Sequence, residues 1–285
     1  MEHFVSPKEG PNVVSGRSFV GFAVILFTAI GFGGAPAAAA DLKADYQFQN
    51  SLASSVSGAP DLVPVGTSSG SFETQTVDGQ PRTVYRFNGS AGTAAGLRAQ
   101  TNGLISNSNY SIVFYAEFDA LGSALAKLID FKNLNSDAGL YNVANIPAFY
   151  DANTQVGSGL TPFPLTGDYG QLVLTRNLAG TVTVFLNGVS QFNFADTTGL
   201  AVIDDPNSTN EYLNFFLDDS QNTILTSGLN IENASGSIAR LRLYDGALTS
   251  NEVAALDTVP EPASLGMCGV LGVLMLRRRR GGGRG

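Results

Sequence analysis

Short runs in which apolar and polar residues alternate, or in which aromatics are frequent, recur along most of this chain, at 44–48, 83–87, 110–118, 127–131, 171–176, 182–186, 212–217 and 238–244. Runs of this length, bounded by Gly, Asn, Ser and Asp, predict half-buried β-strands. Thr181 to Leu186 ends on Asn187-Gly188, a pair suited to a two-residue turn with positive φ, so a further strand over 189–194 is expected to fold back on it. One segment breaks the period. Across 248–256, Thr249 can cap a helix while Glu252 reaches back to it, and Val253 and Leu256 fall on one face, which predicts a short closing helix. Many short strands with turn-rich connections point to an all-β, antiparallel β-sandwich ending in that helix. Residues 44–71 read as loop-rich, and no internal repeat is visible.

Two longer apolar runs do not fit this pattern. Near the start, Lys8 and Arg17 precede 14 apolar residues at 19–32, then small residues up to Ala40 and Asp41. This is the pattern of a signal peptide, expected to be cut by signal peptidase between Ala40 and Asp41, because a membrane span needs about 20 residues. Near the end, Val259-Pro260-Glu261-Pro262 precedes an apolar segment at 263–276 and then Arg277, Arg278, Arg279, Arg280 and Arg284. The prolines keep the backbone extended. The 14 apolar residues, as a helix, cover only about 21 Å of a roughly 30 Å hydrocarbon core, and the arginines resist translocation and act as a cytoplasmic stop. A transient membrane insertion is expected, with Pro260, Glu261 and Pro262 at the outer face.

Motif, hydrophobic helix and basic terminus together resemble the PEP-CTERM sorting signal of Gram-negative bacteria. The resemblance covers 259–285 and implies processing by an exosortase, an inner-membrane intermediate, and transfer to the cell surface or extracellular matrix. The chain thus divides into a signal peptide at 1–40, one domain at 41–258 and a sorting signal at 259–285.

Composition narrows what the middle domain can do. The chain is 44% hydrophobic and 14% charged, too apolar for disorder. Residues 41–258 hold nine Lys and Arg against 21 Asp and Glu, a net charge of −12 with no basic run, so nucleic acid is not an expected partner. The single His (His3) and single Cys (Cys268) both lie outside the domain. Disulfides, His/Cys metal sites, Cys nucleophiles and His-dependent triads are therefore excluded within it, leaving carboxylate chemistry.

Glu117 and Asp119 share a strand face and are the weak catalytic candidates, with a solvated face the expected reading. Asp218 and Asp219 follow an aromatic run and precede Ser220-Gln221-Asn222, offering hard oxygens for Ca²⁺ or simply a turn. Asp204-Asp205-Pro206-Asn207 reads as a turn. Phe114, Tyr115, Phe118, Phe185, Phe215 and Phe216 are expected in the core, Tyr141, Phe149, Tyr150, Phe163 and Tyr169 are the better candidates for exposed contacts, and Arg240 and Arg242 are expected to face solvent.

The strand pair Leu172-Val173-Leu174-Thr175-Arg176 and Val184-Phe185-Leu186-Asn187-Gly188, followed by Ile238-Ala239-Arg240-Leu241-Arg242-Leu243-Tyr244-Asp245-Gly246 and the helix, resembles laminin-G-like members of the concanavalin A-like superfamily. Tyr46-Gln47-Phe48 and Tyr110-Ser111-Ile112-Val113-Phe114 resemble that fold's early strands. The resemblance implies a concanavalin A-like jelly roll that hosts lectins, adhesion modules and glycoside hydrolases. The chain departs from it in having no Trp, and Gly122 stands where the hydrolases' third acidic residue would be. The expectation is a non-enzymatic surface protein binding a polysaccharide or a surface-protein ligand, with a glycoside hydrolase or a structural matrix component as alternatives.

Overall fold

A computed structural model describes residues 39–90, 94–119, 125–151, 154–163, 167–205, 207–218 and 232–257. The proposed sorting residues Pro260, Glu261, Pro262 and Arg277 to Arg280, the apolar run at 19–32, and Asp219 all lie outside them. No helix among the described residues is long and apolar enough to cross a membrane.

The described chain forms two antiparallel sheets. The strands of the first are β1 (Asp41–Tyr46), β3 (Ser71–Val77), β4 (Gln80–Phe87), β6 (Tyr110–Phe118), β11 (Gly170–Arg176), β12 (Thr181–Leu186), β13 (Val189–Ala195) and β15 (Gly236–Asp245). They run in the order β13-β12-β11-β6-β15-β4-β3, with β1 also pairing with β15. The second holds β2 (Val63–Gly66), β5 (Ala95–Gln100), β7 (Leu125–Asp130), β8 (Gly139–Val143), β9 (Ile146–Asp151), β10 (Thr154–Ser158) and β14 (Tyr212–Phe215), ordered β10-β9-β8-β7-β14-β5-β2. The expected β-sandwich is thus present. β2, β3, β5, β8, β9 and β10 are strands that the sequence runs did not mark, and β2 lies inside the stretch expected to be loop.

Burial follows the alternation. Ile112, Phe114, Ala116 and Phe118 of β6, with Leu172 and Leu174 of β11 and Leu241 and Leu243 of β15, meet Leu97, Ala99, Leu140, Phe149, Leu213 and Phe215 from the other sheet. Phe87 stacks on Phe216 at 3.7 Å between ring centroids and 4° between planes. Each such buried side chain contributes about 1.5–3 kcal/mol of apolar transfer. The six aromatics expected in the core are all buried.

The first sheet is covered on its outer face as well. Val113, Val173, Phe185 and Tyr244 pack beneath Leu248 and Val253, the latter on α1 (Ser250–Ala254). The helix forms where the sequence placed it. Glu252 N–H donates to Thr249 Oγ1 at 3.3 Å and Thr249 N–H donates to Glu252 Oε2 at 2.7 Å, which satisfies two of the helix's unpaired donors. The β12–β13 turn is also as expected, with φ of 50° at Asn187 and 78° at Gly188.

Beside this layer, Arg240 donates to both oxygens of Asp45, at 2.8 and 3.0 Å, and to Asp257 Oδ2 at 2.6 Å. Arg242 donates to Asp257 Oδ1 at 2.9 Å. The two arginines were expected to face solvent; both are buried instead, because β1 and the segment after α1 cover their strand. Asp41, the residue expected to follow the leader's cut, opens β1 opposite Asp245.

Candidate functional site

The second sheet's outer face carries an unusual concentration of charge. Lys127 and Asp130 lie three apart on β7, and regular alternation would put them on opposite faces. A register shift between Lys127 and Ile129 adds a residue to the strand, so Leu128 and Ile129 both enter the core and Lys127 and Asp130 emerge together. The shift in β7 creates the site. Gly139 on β8 leaves room for it, since a Cβ there would meet Ile129 O at 2.5 Å and Lys127 Cε at 3.3 Å.

The fully buried Lys127 ammonium faces two acids, Asp218 and Asp130, and two more gather on Asp218. Its Nζ donates to Ser136 O at 3.0 Å and lies 3.1 Å from Asp218 Oδ1 and 3.7 Å from Asp130 Oδ2. The Tyr141 ring centroid is 5.3 Å away. Asp137, Asp218 and Glu232 each bring one carboxylate oxygen within 4.8 Å of the others. Tyr141 Oη donates to Asp137 Oδ1 at 2.8 Å, and its hydroxyl is pushed well above its ordinary value by burial and by the charges of Asp218 and Asp137. Burial likewise raises Asp130, against the opposing pull of Lys127 and the amides of Leu134 and Lys132.

Asp218 reaches this cluster through a strained backbone. Phe216 has φ of 69°, costly for an aromatic residue, and this lets Phe215 and Phe216 both point inward before Asp218 turns out toward Lys127. Asp218, expected on a turn or a calcium loop, thus sits in an ion pair.

A line of polar contacts continues across the sheet. Asn214 Nδ2 donates to Asp130 Oδ1 at 3.3 Å, and Arg98 Nε donates to Asn214 Oδ1 at 2.7 Å. The Arg98 guanidinium lies 4.7 Å above the Tyr212 ring, and both side chains are half-exposed. At the rim, Asp205 accepts from Asn133 Nδ2 at 2.7 Å, Asn135 Nδ2 at 3.4 Å and Asn207 N–H at 2.9 Å. The last is the turn expected at this segment. The Asn207 amide holds the Asp205 carboxyl below its usual range. Lys132 donates to Asp204 Oδ1 at 2.5 Å. The arrangement offers a flat cation-backed ring beside a rim of part-buried side-chain amides ending in the exposed Asn207, groups of the kind that stack on and hydrogen-bond to a polyhydroxylated ligand.

The sequence candidates for catalysis lie on the other sheet. Glu117, expected on a solvated face, is buried and accepts from the Gly167 N–H. Asp119 is gripped by Arg86, which donates from Nη1 at 3.0 Å and also from Nη2. Each carboxylate therefore has its own partner. Tyr141, Phe149 and Phe163 prove buried, while Tyr150 and Tyr169 are half-exposed. Arg98 and Tyr212 went unnoticed in the sequence because they come from strands 114 positions apart.

No family model and no curated protein matches the chain. Solved structures share its fold. Domain 4 of AbnA, a GH43 extracellular arabinanase from Geobacillus stearothermophilus, in complex with arabinotriose, is similar with a TM-score of 0.56 and 19% identity, over 76% of this chain and 98% of that one. The botulinum neurotoxin serotype D/C binding domain gives 0.54 and 14%, over 75% of this chain and 51% of its own length. The serotype C1 binding domain gives 0.54 and 13%, with the same coverage. This chain therefore spans about half of each toxin domain. At such identities the likeness establishes the β-sandwich.

Proposed function

We propose that this chain is an exported binding module of the Gram-negative cell surface or its extracellular matrix, which holds a carbohydrate on the outer face of its second sheet. The observation that carries the reading is the Arg98–Tyr212 stack flanked by the amides of Asn133, Asn135 and Asn207. Its fold is that of an arabinanase domain solved in complex with arabinotriose, and of toxin domains of which one is seen with rat synaptotagmin II, so a surface-protein ligand is the alternative occupant. A net charge of −12 over residues 41–258 disfavours polyanionic glycans, which makes a neutral oligosaccharide the expected class. Binding to a glycan array, followed by titration of arabinotriose, tests this. Arg98→Ala and Tyr212→Ala are each expected to weaken binding about tenfold or more, the loss of one well-placed anchor. Binding that survives both substitutions would move the site elsewhere, and an empty array would favour the protein ligand.

The export reading rests on the two terminal signals, with signal peptidase and an exosortase as processing partners. It is supported by β1 opening at Asp41, and by the tie of Asp257 to Arg240 and Arg242 three residues before Pro260. Intact-mass measurement on protein from the native envelope is expected to match residues 41 to about 260. Retention of Arg277 to Arg280 would reduce the tail to a plain anchor.

A further inference from the structure

We infer that Lys127 is a tethered cation: its ammonium occupies, and permanently fills, a position built like a divalent-cation site. Three observations carry this. The ligand set around Nζ consists of a backbone carbonyl, Ser136 O at 3.0 Å, and carboxylate oxygens of Asp218 at 3.1 Å and Asp130 at 3.7 Å, with Asp137 and Glu232 clustered on Asp218. Carbonyl and carboxylate oxygens are the donor types that a calcium ion gathers. Second, the contacts to the carboxylates are not directed. Asp218 Oδ1 and Asp130 Oδ2 are buried and accept no hydrogen bond. The ammonium meets them as a charge, as a metal ion would. Third, Lys127 has no exposed surface, and its stem is threaded past Gly139, so it cannot swing out to admit an ion.

The consequence concerns the stability of the site rather than its sugar, and holds whichever ligand the rim accepts. Asp130 and Asp218 meet the ammonium, Asp137 and Glu232 gather on Asp218, and a buried charge must be paired. A lysine at the centre supplies the pairing without metal, so the wild-type sandwich gains nothing from calcium and loses nothing to a chelator. Removing the ammonium leaves the same oxygens facing an unfilled cation position.

Lys127→Met keeps most of the side-chain volume and removes the charge. In EDTA the variant is expected to melt well below the wild type. About 5 mM calcium is expected to raise its Tm by about 5 °C or more, given the millimolar or tighter affinities typical of extracellular calcium modules. The wild type is expected to shift by less than about 1 °C under the same conditions. Asp218→Asn in the Lys127→Met background is expected to abolish the calcium response, and it also shows whether methionine is tolerated there once the charge imbalance is reduced. A variant that folds only when calcium is added supports the proposal. It is overturned if the wild type shows a calcium shift as large as the variant's, or if the double variant folds while Lys127→Met shows no response to calcium.

Discussion

Charged side chains in this domain are placed where a reading of isolated residues would not look for them. Arg240 shows what such a residue does. It donates to both oxygens of Asp45 and to Asp257, so one guanidinium ties the first strand to the segment after the last helix. The planar fork of Arg fits a carboxylate at two points and stays charged when buried. Replacing Arg240 by Met strands Asp45 under the covering layer with one fewer cation. The expected loss is about 3–5 kcal/mol in urea unfolding, the scale for breaking a buried pair. Pairing that change with Asp45→Asn is expected to recover part of it, since the buried carboxylate then no longer lacks a partner. Equal losses in the single and double variants would show that Arg240 acts through packing rather than charge.

At the scale of elements, regularity decided what the sequence revealed. β6 and β12 alternate cleanly with apolar inner faces, and β11 and β15 depart from this only at Arg176 and at a shift between Ile238 and Arg240, so their existence and the β12–β13 turn were legible. β8 and β9 were not, because Gly139-Leu140-Tyr141-Asn142-Val143 and its partner are covered on both faces and show no alternation. β3 was missed for the opposite reason, being an edge strand of mostly exposed polar residues. The site was hidden by a register shift. On an undisturbed strand Lys127 and Asp130 face opposite ways, and only the shift in β7 brings them together. Likewise, the strand period placed Arg240 and Arg242 on one face correctly, but pairs two apart give no sign of what covers that face. Capping, by contrast, is local, and Thr249 with Glu252 was legible from spacing alone. Thr249→Ala is expected to cost about 1 kcal/mol of stability, with Thr249→Ser nearly neutral, as read by shifts in the urea midpoint at constant slope. A Thr249→Ala loss near zero would mean that the packing of Val253 and Leu248 holds the helix without its cap.

For the whole molecule, the titratable inventory sets a pH profile with two distant edges. His3 and Cys268 are the chain's single His and Cys, and both lie outside residues 41–257, so no side chain of those types changes charge in the folded domain between about pH 6 and 9. On the acid side, burial would raise Asp45 and Asp257, but hydrogen bonds and charge from Arg240 and Arg242 hold both below the ordinary carboxylate value of 3.8. A lowered folded-state value means that their stabilisation is complete above about pH 4 and is lost as pH falls through the folded values. Asp130 has the opposite sign: burial raises it, so its contribution favours folding below 3.8 and fades as pH rises from there. It softens the acid edge without removing it. On the alkaline side, burial raises Tyr46, Tyr85, Tyr110, Tyr115, Tyr141, Tyr169 and Tyr244 above the ordinary tyrosine value of 10.0. The unfolded chain releases those protons first, so stability falls as pH climbs past about 10. Urea midpoints are therefore expected to stay level from about pH 6 to 9, to drop below about pH 4, and to drop again above about pH 10. Tyrosinate absorbance from these seven residues is expected to appear only together with the loss of folded structure. If that absorbance develops fully while the sandwich remains intact, the hydroxyls are in contact with solvent and the alkaline edge has another origin.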